Sequence, residues 1–483
     1  MLYIGIDLGT SSVKLLLMDE GGHTLRVVQR DYPISFPHSG WSEQDPEDWW
    51  EQTCAGVRAL MEGFDPGRVD GIGFGGQMHG LVALDRDDRP VRPAILWNDG
   101  RTGREVEHLN GTVGRARLAG LTGNIAFAGF TAPKLLWMRA NEPERFAAIH
   151  KIMLPKDYLA YRMTGVHSTD YSDASGTLLL DTAHRAWSEE MLELCGLESG
   201  QVPRVYESWE VTGKLTPGAA RALGLPQSVR VCAGAGDNAA AAVGTGTIAD
   251  GSCNLSVGTS GTMFIACDRF RLPENNALHA FAHANGQYHL MGCMLSAAAC
   301  GKWWIEDVLG SGDYAGEQSG FGRLGENPVL FAPYLMGERT PHNDTEVRGA
   351  FVGLGLDTTR AQLTQAVVEG VAFAFRDTLE IVRALGLKVG RATLCGGGAR
   401  SPVWRTILAN VLDMPMDFVE TQGPATGAAI LAAVGCGACP SLEEMSAKAL
   451  GPVETTQPDR ETAARYAGQY ERFVKLYPAV KDL

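Results

Sequence analysis

Apolar residues come in three short runs at the start of the chain, at residues 2–6, 13–19 and 24–30, with tight turns between them, the second at Gly21-Gly22. Runs of this length bounded by turn residues predict strands. After a polar stretch, Asp45-Pro46-Glu47-Asp48 opens a predicted helix that continues through Trp49 to about residue 61. Asp45 can cap its first free N–H groups, Pro46 suits the first helical position, and the two acids favour the positive end of the helix dipole. Strands are expected again near residues 70–75 and 81–85. Three strands, a helix and a strand describe an α/β domain with a mixed sheet, not a nucleotide-binding unit that alternates strand and helix from its first residue.

Residues 103–225 are richer in helical pattern, with helices expected over 146–165 and 188–197, and read as an elaboration of the first domain. A strand over 229–233 and a Gly234-Ala235-Gly236 turn then lead into a helix that begins at Asp237. A second domain is expected from residue 247, giving a division into 1–246 and 247–483. Its strands lie near 252–256 and 262–266. Leu363, Val367, Val371, Phe375, Leu379 and Val382 mark one face of a long helix over 359–385. A buried strand over 391–395, a helix from Pro402, a strand over 416–420, a helix over 424–434 and a charged helical tail after 455 complete the pattern.

One turn occurs nearly twice: Asp7-Leu8-Gly9-Thr10-Ser11-Ser12 and Ser256-Val257-Gly258-Thr259-Ser260-Gly261. Each lies between two strand-like runs, so each is the tip of a hairpin. Small residues let such a tip wrap a phosphate with its N–H groups and hydroxyls. Two tips about 250 residues apart suggest two similar domains facing one polyphosphate, and this pair is the only internal repetition visible along the chain.

Composition narrows the picture. With 483 residues and 45% hydrophobic content the chain can bury large cores, and its net charge of −14 argues against bulk nucleic-acid binding, which needs a basic face. The opening residues carry no signal-peptide pattern, and no apolar run reaches the roughly 18 residues of a membrane span, so a cytoplasmic protein is expected. The ten cysteines mostly sit inside apolar runs and read as buried free thiols. Cys436-Gly437-Ala438-Cys439 stands alone as a C-x-x-C and reads as an incidental loop. His279, His283 and His289 have no helical partner spacing and are not read as a metal site.

Six places could carry chemistry. Asp7, beside the first tip, would be repelled by phosphate unless a cation lay between them, which suggests Mg²⁺ held partly through water; a turn-capping aspartate gives the same pattern. Lys14 could reach phosphate from the next strand, or be solvated. Asp237 is placed for a general base that takes a hydroxyl proton during phosphoryl transfer, or for an ordinary helix cap. Gly396-Gly397-Gly398-Ala399-Arg400 could lie against an adenosine. Gln77-Met78-His79-Gly80, and Trp97-Asn98-Asp99-Gly100-Arg101 with its aromatic platform, suit a sugar or polyol.

These strings, together with Trp41-Ser42-Glu43-Gln44-Asp45-Pro46, Leu154-Pro155-Lys156-Asp157-Tyr158, Gly236-Asp237-Asn238 and Gly337-Glu338-Arg339-Thr340-Pro341-His342-Asn343, resemble the FGGY carbohydrate kinases of the actin/Hsp70/hexokinase superfamily over essentially the whole chain. The resemblance implies two RNase-H-like domains around a cleft, with ATP and Mg²⁺ on one side and an open-chain ketopentose on the other. It places Asp237 on the family's catalytic base and Asp7 on the acid that supports metal and phosphates, with both as metal-binding candidates. Met78, His79 and Asn238 fall on sugar-binding positions, beside Trp97 and Asp99. Thr10, Ser11, Gly258 and Thr259 fall on the phosphate loops with Lys14, and Gly397 and Gly398 on the adenosine loop. The Gln-Met-His turn departs from the Arg-Glu pair of glycerol kinases. The expected reaction is ATP-dependent phosphorylation of D-xylulose at its 5-hydroxyl. A kinase for ribulose or another polyol is the alternative, and a non-catalytic nucleotide-dependent sugar sensor the alternative of another class. A homodimer is common in the family.

Overall fold

The computed structural model describes residues 1–421, 423–451 and 453–483. The first three apolar runs form β1 (Leu2–Leu8), β2 (Ser12–Asp19) and β3 (Thr24–Asp31), joined as antiparallel neighbours. β1 is apolar on both faces because both are covered, whereas β3, at the sheet edge, is largely exposed. The helix Pro46–Leu60, capped by the Asp45 side chain on Glu47 N, returns the chain to the strand Val69–Gly76, which pairs in parallel with β1. Beyond it lie Arg230–Cys232, parallel, and Val211–Lys214, antiparallel.

The second sheet repeats this plan. Cys253–Val257 and Gly261–Cys267 form the hairpin, Ala392–Cys395 and Met416–Val419 add in parallel, and Val453–Thr456 closes the edge antiparallel. Tyr288–Met294 and His279–Ala282 extend the hairpin side. The repetition is therefore larger than the pair of tips visible in the sequence: it covers the strand order of a whole sheet. The helix Arg360–Ala384, held at its start by a Thr359–Gln362 capping box, runs through the core of the second half.

Two local expectations change. Residues 146–165 are not one helix: Pro143–Ala147 and Pro155–Thr164 are helices separated by the strand Lys151–Met153, which pairs with Val82–Leu84. Pro155 has no N–H to continue a helix and holds Leu154 extended, at φ −88° and ψ 164°. The tail also contributes the strand Val453–Thr456, whose exposed polar residues carry no alternating apolar signal.

The helix Pro424–Gly435 belongs to the second half of the chain but packs on the first sheet. Glycines make this approach. A Cβ at Gly5 of β1 would lie 2.0 Å from Ala425 O. The same helix crosses Asp237–Gly244 so closely that a Cβ at Gly427 would lie 1.7 Å from Ala240 O. Gly427→Ala should therefore push the two helices apart. The overpacking costs about 1–3 kcal/mol, against roughly 1 kcal/mol that alanine returns in helix propensity. The expected result is a lower urea midpoint, and a variant as stable as the parent would contradict the packing. Among the described residues no helix is long and apolar enough to cross a membrane, and all ten cysteines are free thiols.

Candidate active site

The first tip is built to present donors. Its four carbonyls are each turned onto the protein: Gly9 O accepts from Tyr32 Oη at 2.5 Å, Thr10 O from Gln44 Nε2 at 2.7 Å, Ser11 O from Tyr32 N at 3.1 Å and Ser12 O from Gly9 N at 3.0 Å. Thr10 N and Ser11 N have no acceptor among the described residues. An anion at the tip thus meets N–H groups and hydroxyls without facing a carbonyl oxygen. The second tip uses the same device. Gly258 O accepts from Ala298 N at 2.8 Å, and Thr259 O from Ala297 N at 2.9 Å and Ala299 N at 3.2 Å. The Gly396 turn sits directly on the strand before this tip, since a Cβ at Gly396 (φ 95°) would lie 2.7 Å from Val257 O. Gly397 faces open space, whereas Gly398 packs on Val257.

Asp237 is the first residue of its helix, and Gly236, not Asp237, occupies the cap position. The Asp237 carboxylate accepts instead from Asn238, from its N at 2.7 Å and its Nδ2 at 2.9 Å. Asn238 therefore orients Asp237, and its side-chain carbonyl is the part left for a ligand. Burial raises the Asp237 carboxyl to about 6, opposed by those two bonds. Burial also raises Asp7 to about 7, with the charge of Asp237 adding to the rise and Lys14, its cross-strand neighbour, opposing it. Two half-buried carboxylates that disfavour each other's charge are a hard-oxygen donor pair that fits a divalent cation. Among the described residues no group of three metal-ligating side chains exists, so such a cation would complete its shell with phosphate oxygens and water.

The Gln77-Met78-His79-Gly80 turn is held by buried hydrogen bonds from several elements. His79 has a left-handed backbone at φ 70°, and its Nδ1 lies 2.6 Å from Gly176 O. A carbonyl only accepts, so Nδ1 carries the proton and Nε2 is an acceptor. Burial, then the charge of Lys134, hold His79 down to about 3, which keeps the ring neutral. Lys134 Nζ donates to His79 O at 2.9 Å, and burial pushes this lysine down to about 7. Met78 is wedged between Gly176 and Gly236, where Cβ atoms would lie 2.9 Å and 3.0 Å from its side chain. Gln77 is buried and donates to Gln44 at 3.2 Å, which ties this turn to the first tip. Trp97 is 47% exposed and donates from Nε1 to Thr10 Oγ1 at 2.9 Å.

Asp99 departs from the expected role as a sugar ligand. It is 1% exposed, and both oxygens are engaged, by Arg101 at 2.8 and 2.7 Å and by Ser42 N at 2.6 Å. Arg101 in turn lies over Trp41 at 3.7 Å and pairs with Glu43. The carboxylate therefore braces the loop that carries Trp97.

The structure adds a buried cluster that motif reading passed over as part of a family string. Lys156 Nζ lies 2.6 Å from Asp157, 2.8 Å from Asp170 and 3.6 Å from Asp173, all four side chains being essentially inaccessible. Asp170 accepts from Ser172 Oγ at 2.5 Å and Ser208 Oγ at 2.8 Å, and Ser172 Oγ accepts from Gly236 N at 3.1 Å. The cluster thereby holds the turn that precedes Asp237. Its sequence signal is Lys156-Asp157 set inside an otherwise apolar segment, where charges are buried only when paired.

The N-terminal domain model of the FGGY family of carbohydrate kinases matches residues 2–244, and the C-terminal domain model matches residues 253–436. The chain is 43% identical over 494 residues to a xylulose kinase of Escherichia coli (strain K12), covering 100% of each. It superposes on the crystal structure of a xyloylose kinase from Brucella ovis with a TM-score of 0.93 at 40% identity, covering 99% of both chains. A gluconate kinase from Lactobacillus acidophilus superposes with a TM-score of 0.94 at 25% identity, covering 99% of this chain and 98% of that one.

Proposed function

Since the chain belongs to the FGGY family of carbohydrate kinases, we propose that it transfers the γ-phosphoryl group of ATP to the 5-hydroxyl of D-xylulose. The observation that carries this reading is the position of Asp237. It is half-buried, aimed by Asn238, in electrostatic contact with Asp7 at the donor-only first tip, and flanked by Met78 of the sugar-side turn. The full-length similarity to xylulose kinases selects the sugar.

In this reading Asp237 accepts the hydroxyl proton as the sugar oxygen attacks phosphorus. The new O–P bond forms while the bond from phosphorus to the β-γ bridging oxygen breaks, and ADP departs with that electron pair. His79 Nε2 accepts from a sugar hydroxyl, which fixes the substrate's orientation. The N–H groups of Thr10, Ser11, Gly258 and Thr259 hold phosphate oxygens, Lys14 adds positive charge, and Gly397 and Gly398 lie against the adenosine. A Mg²⁺ ion held by Asp7 and Asp237 would neutralise phosphate charge. The division of labour follows the chain: residues 1–246 supply the sugar site, the first phosphate tip and the base, and residues 247–483 the second tip and the adenosine face.

ADP release measured over a panel of ketopentoses, gluconate and alditols tests this. D-xylulose is expected to give the highest kcat/KM. A panel led by gluconate or ribulose overturns the substrate assignment, and nucleotide binding without sugar-stimulated ADP release points to a sensor.

A pH profile gives a second expected result. A protonated carboxyl cannot accept a proton, so at limiting Mg²⁺ activity is lost as pH falls through about 7 and about 6, where Asp7 and Asp237 gain protons, and raising Mg²⁺, which favours the ionised pair, moves the loss to lower pH. Below that range kcat/KM should fall at least about tenfold per pH unit. A profile flat down to pH values near the ordinary carboxylate range, about 4, contradicts the perturbed pair.

A further inference from the structure

Arg339 comes from the second half of the chain and meets Phe127 of the first. Its guanidinium lies over Phe127 at 4.8 Å, and its Nη1 is 3.4 Å from His279 Nε2. His279 accepts there because its Nδ1 faces Asn124 Oδ1 at 3.3 Å, an oxygen that cannot donate. The Arg339 charge is felt at His79 as well as at His279. Among the described residues no carboxylate pairs with this guanidinium. Glu338, its neighbour, accepts from the Arg339 backbone N at 2.8 Å instead. A guanidinium has five N–H donors, and the contacts with His279 and the Cys293 thiol leave most of them free.

Phe130 joins this guanidinium to the turn that carries His79, its ring lying 5.6 Å from that of His279 and 4.5 Å from that of His79. The polar groups of that turn and of the base are of the other kind. His79 presents a bare Nε2, and Asp237 a carboxylate. Lys134 is wholly buried and spends its donors on the carbonyls of His79 and Gly129. Trp97 donates to the first tip. Acceptors on the protein suit hydroxyls, which can donate, but they repel an oxygen that can only accept. A ketose carries one such oxygen, the C2 carbonyl, and an alditol of the same length does not.

We propose that Arg339 donates to the carbonyl oxygen of the ketose substrate and so selects ketoses over alditols. This rests on the kinase reading above and deepens it. The residue acts on the sugar end remote from the transferred phosphoryl group, and it arrives from the opposite half of the chain, so the ketose is read by both halves.

The test compares kcat/KM for D-xylulose and for xylitol, which differs from it only at C2, in the parent and in Arg339→Met and Arg339→Lys. Losing a charge-assisted hydrogen bond should lower kcat/KM for D-xylulose by about 10- to 100-fold in Arg339→Met. The value for xylitol should change less than about threefold, a range typical of a contact it never made. Arg339→Lys keeps a cationic donor and should recover part of the ketose activity while leaving xylitol unchanged; it also serves if the methionine variant does not fold. An equal loss on both substrates, or no loss on D-xylulose, overturns the assignment. Failure of the parent protein to phosphorylate any ketopentose would overturn the kinase reading itself, before any variant is compared.

Discussion

Asp237→Ala should lose about 10²–10⁴ of kcat, the range for removing a positioned general base, while remaining folded. The second half of that statement separates chemistry from structure. Asp237 and Asp7 raise each other's cost of ionisation, so removing one carboxylate relieves repulsion and should leave the thermal midpoint near neutral pH no lower than the parent's. Asp237→Asn makes the same point with less change of shape: the amide can still accept from Asn238, but it cannot take a proton from the sugar. Without Mg²⁺ both variants should bind ATP with affinity close to the parent's, because the tip N–H groups and the Gly396 turn are untouched, and only the Mg²⁺-dependent part of binding should weaken. Turnover within tenfold of the parent would remove Asp237 from the base role, and a large fall in the thermal midpoint would reassign the loss to misfolding.

The second large effect is expected at Lys156. Lys156→Met leaves Asp157, Asp170 and Asp173 buried with no other cation among the described residues paired to them. Uncompensated buried charge of this kind costs about 3–5 kcal/mol. The carboxylates can recover part of that by protonation. Asp173 is the readiest to do so, because burial and its acidic neighbours already push it well above the usual carboxylate range. Urea denaturation should show the loss, and Asp173→Asn in the same background should restore part of it, since neither Asp173 oxygen has a hydrogen-bond partner to lose. The folded fraction of Lys156→Met should also turn over more slowly. Asp170 fixes Ser172, and Ser172 holds Gly236 N immediately before Asp237. Stability within about 1 kcal/mol of the parent, the ordinary size of a point-mutation effect, would show that the cluster does not depend on its lysine.

These two residues show how differently the site could be read from the chain. Asp237 follows a glycine turn and precedes an alanine-rich helix, so local pattern marks it. Lys156 has no such mark, because its meaning lies in Asp170 and Asp173, which reach it only through folding. Asp99 misleads for the same reason. Beside Trp97 it looks like a polar ligand, but Arg101 and Ser42 N take both of its oxygens. Arg339 was visible only as a letter in a family string, and its nearness to His279 and Phe127 joins positions 60 and 212 residues away along the chain.

Short-range order sufficed for much of the fold. Apolar runs and caps place β1 to β3, the helix Pro46–Leu60 and the helix Arg360–Ala384, because strand alternation, helical period and end capping are settled among residues a few positions apart. The chain by itself also determined that two phosphate-sized tips exist, with Asp7 at only one of them. Tertiary structure decided which groups those tips present. It closed every carbonyl of the first tip onto Tyr32, Gln44 or the turn itself. It laid the helix Pro424–Gly435 of the second half across the first sheet. It also brought Asp7 and Asp237 into one electrostatic site. Each of these depends on contacts between segments distant in sequence, whose free energy comes from shared burial and shared charge rather than from any local pattern.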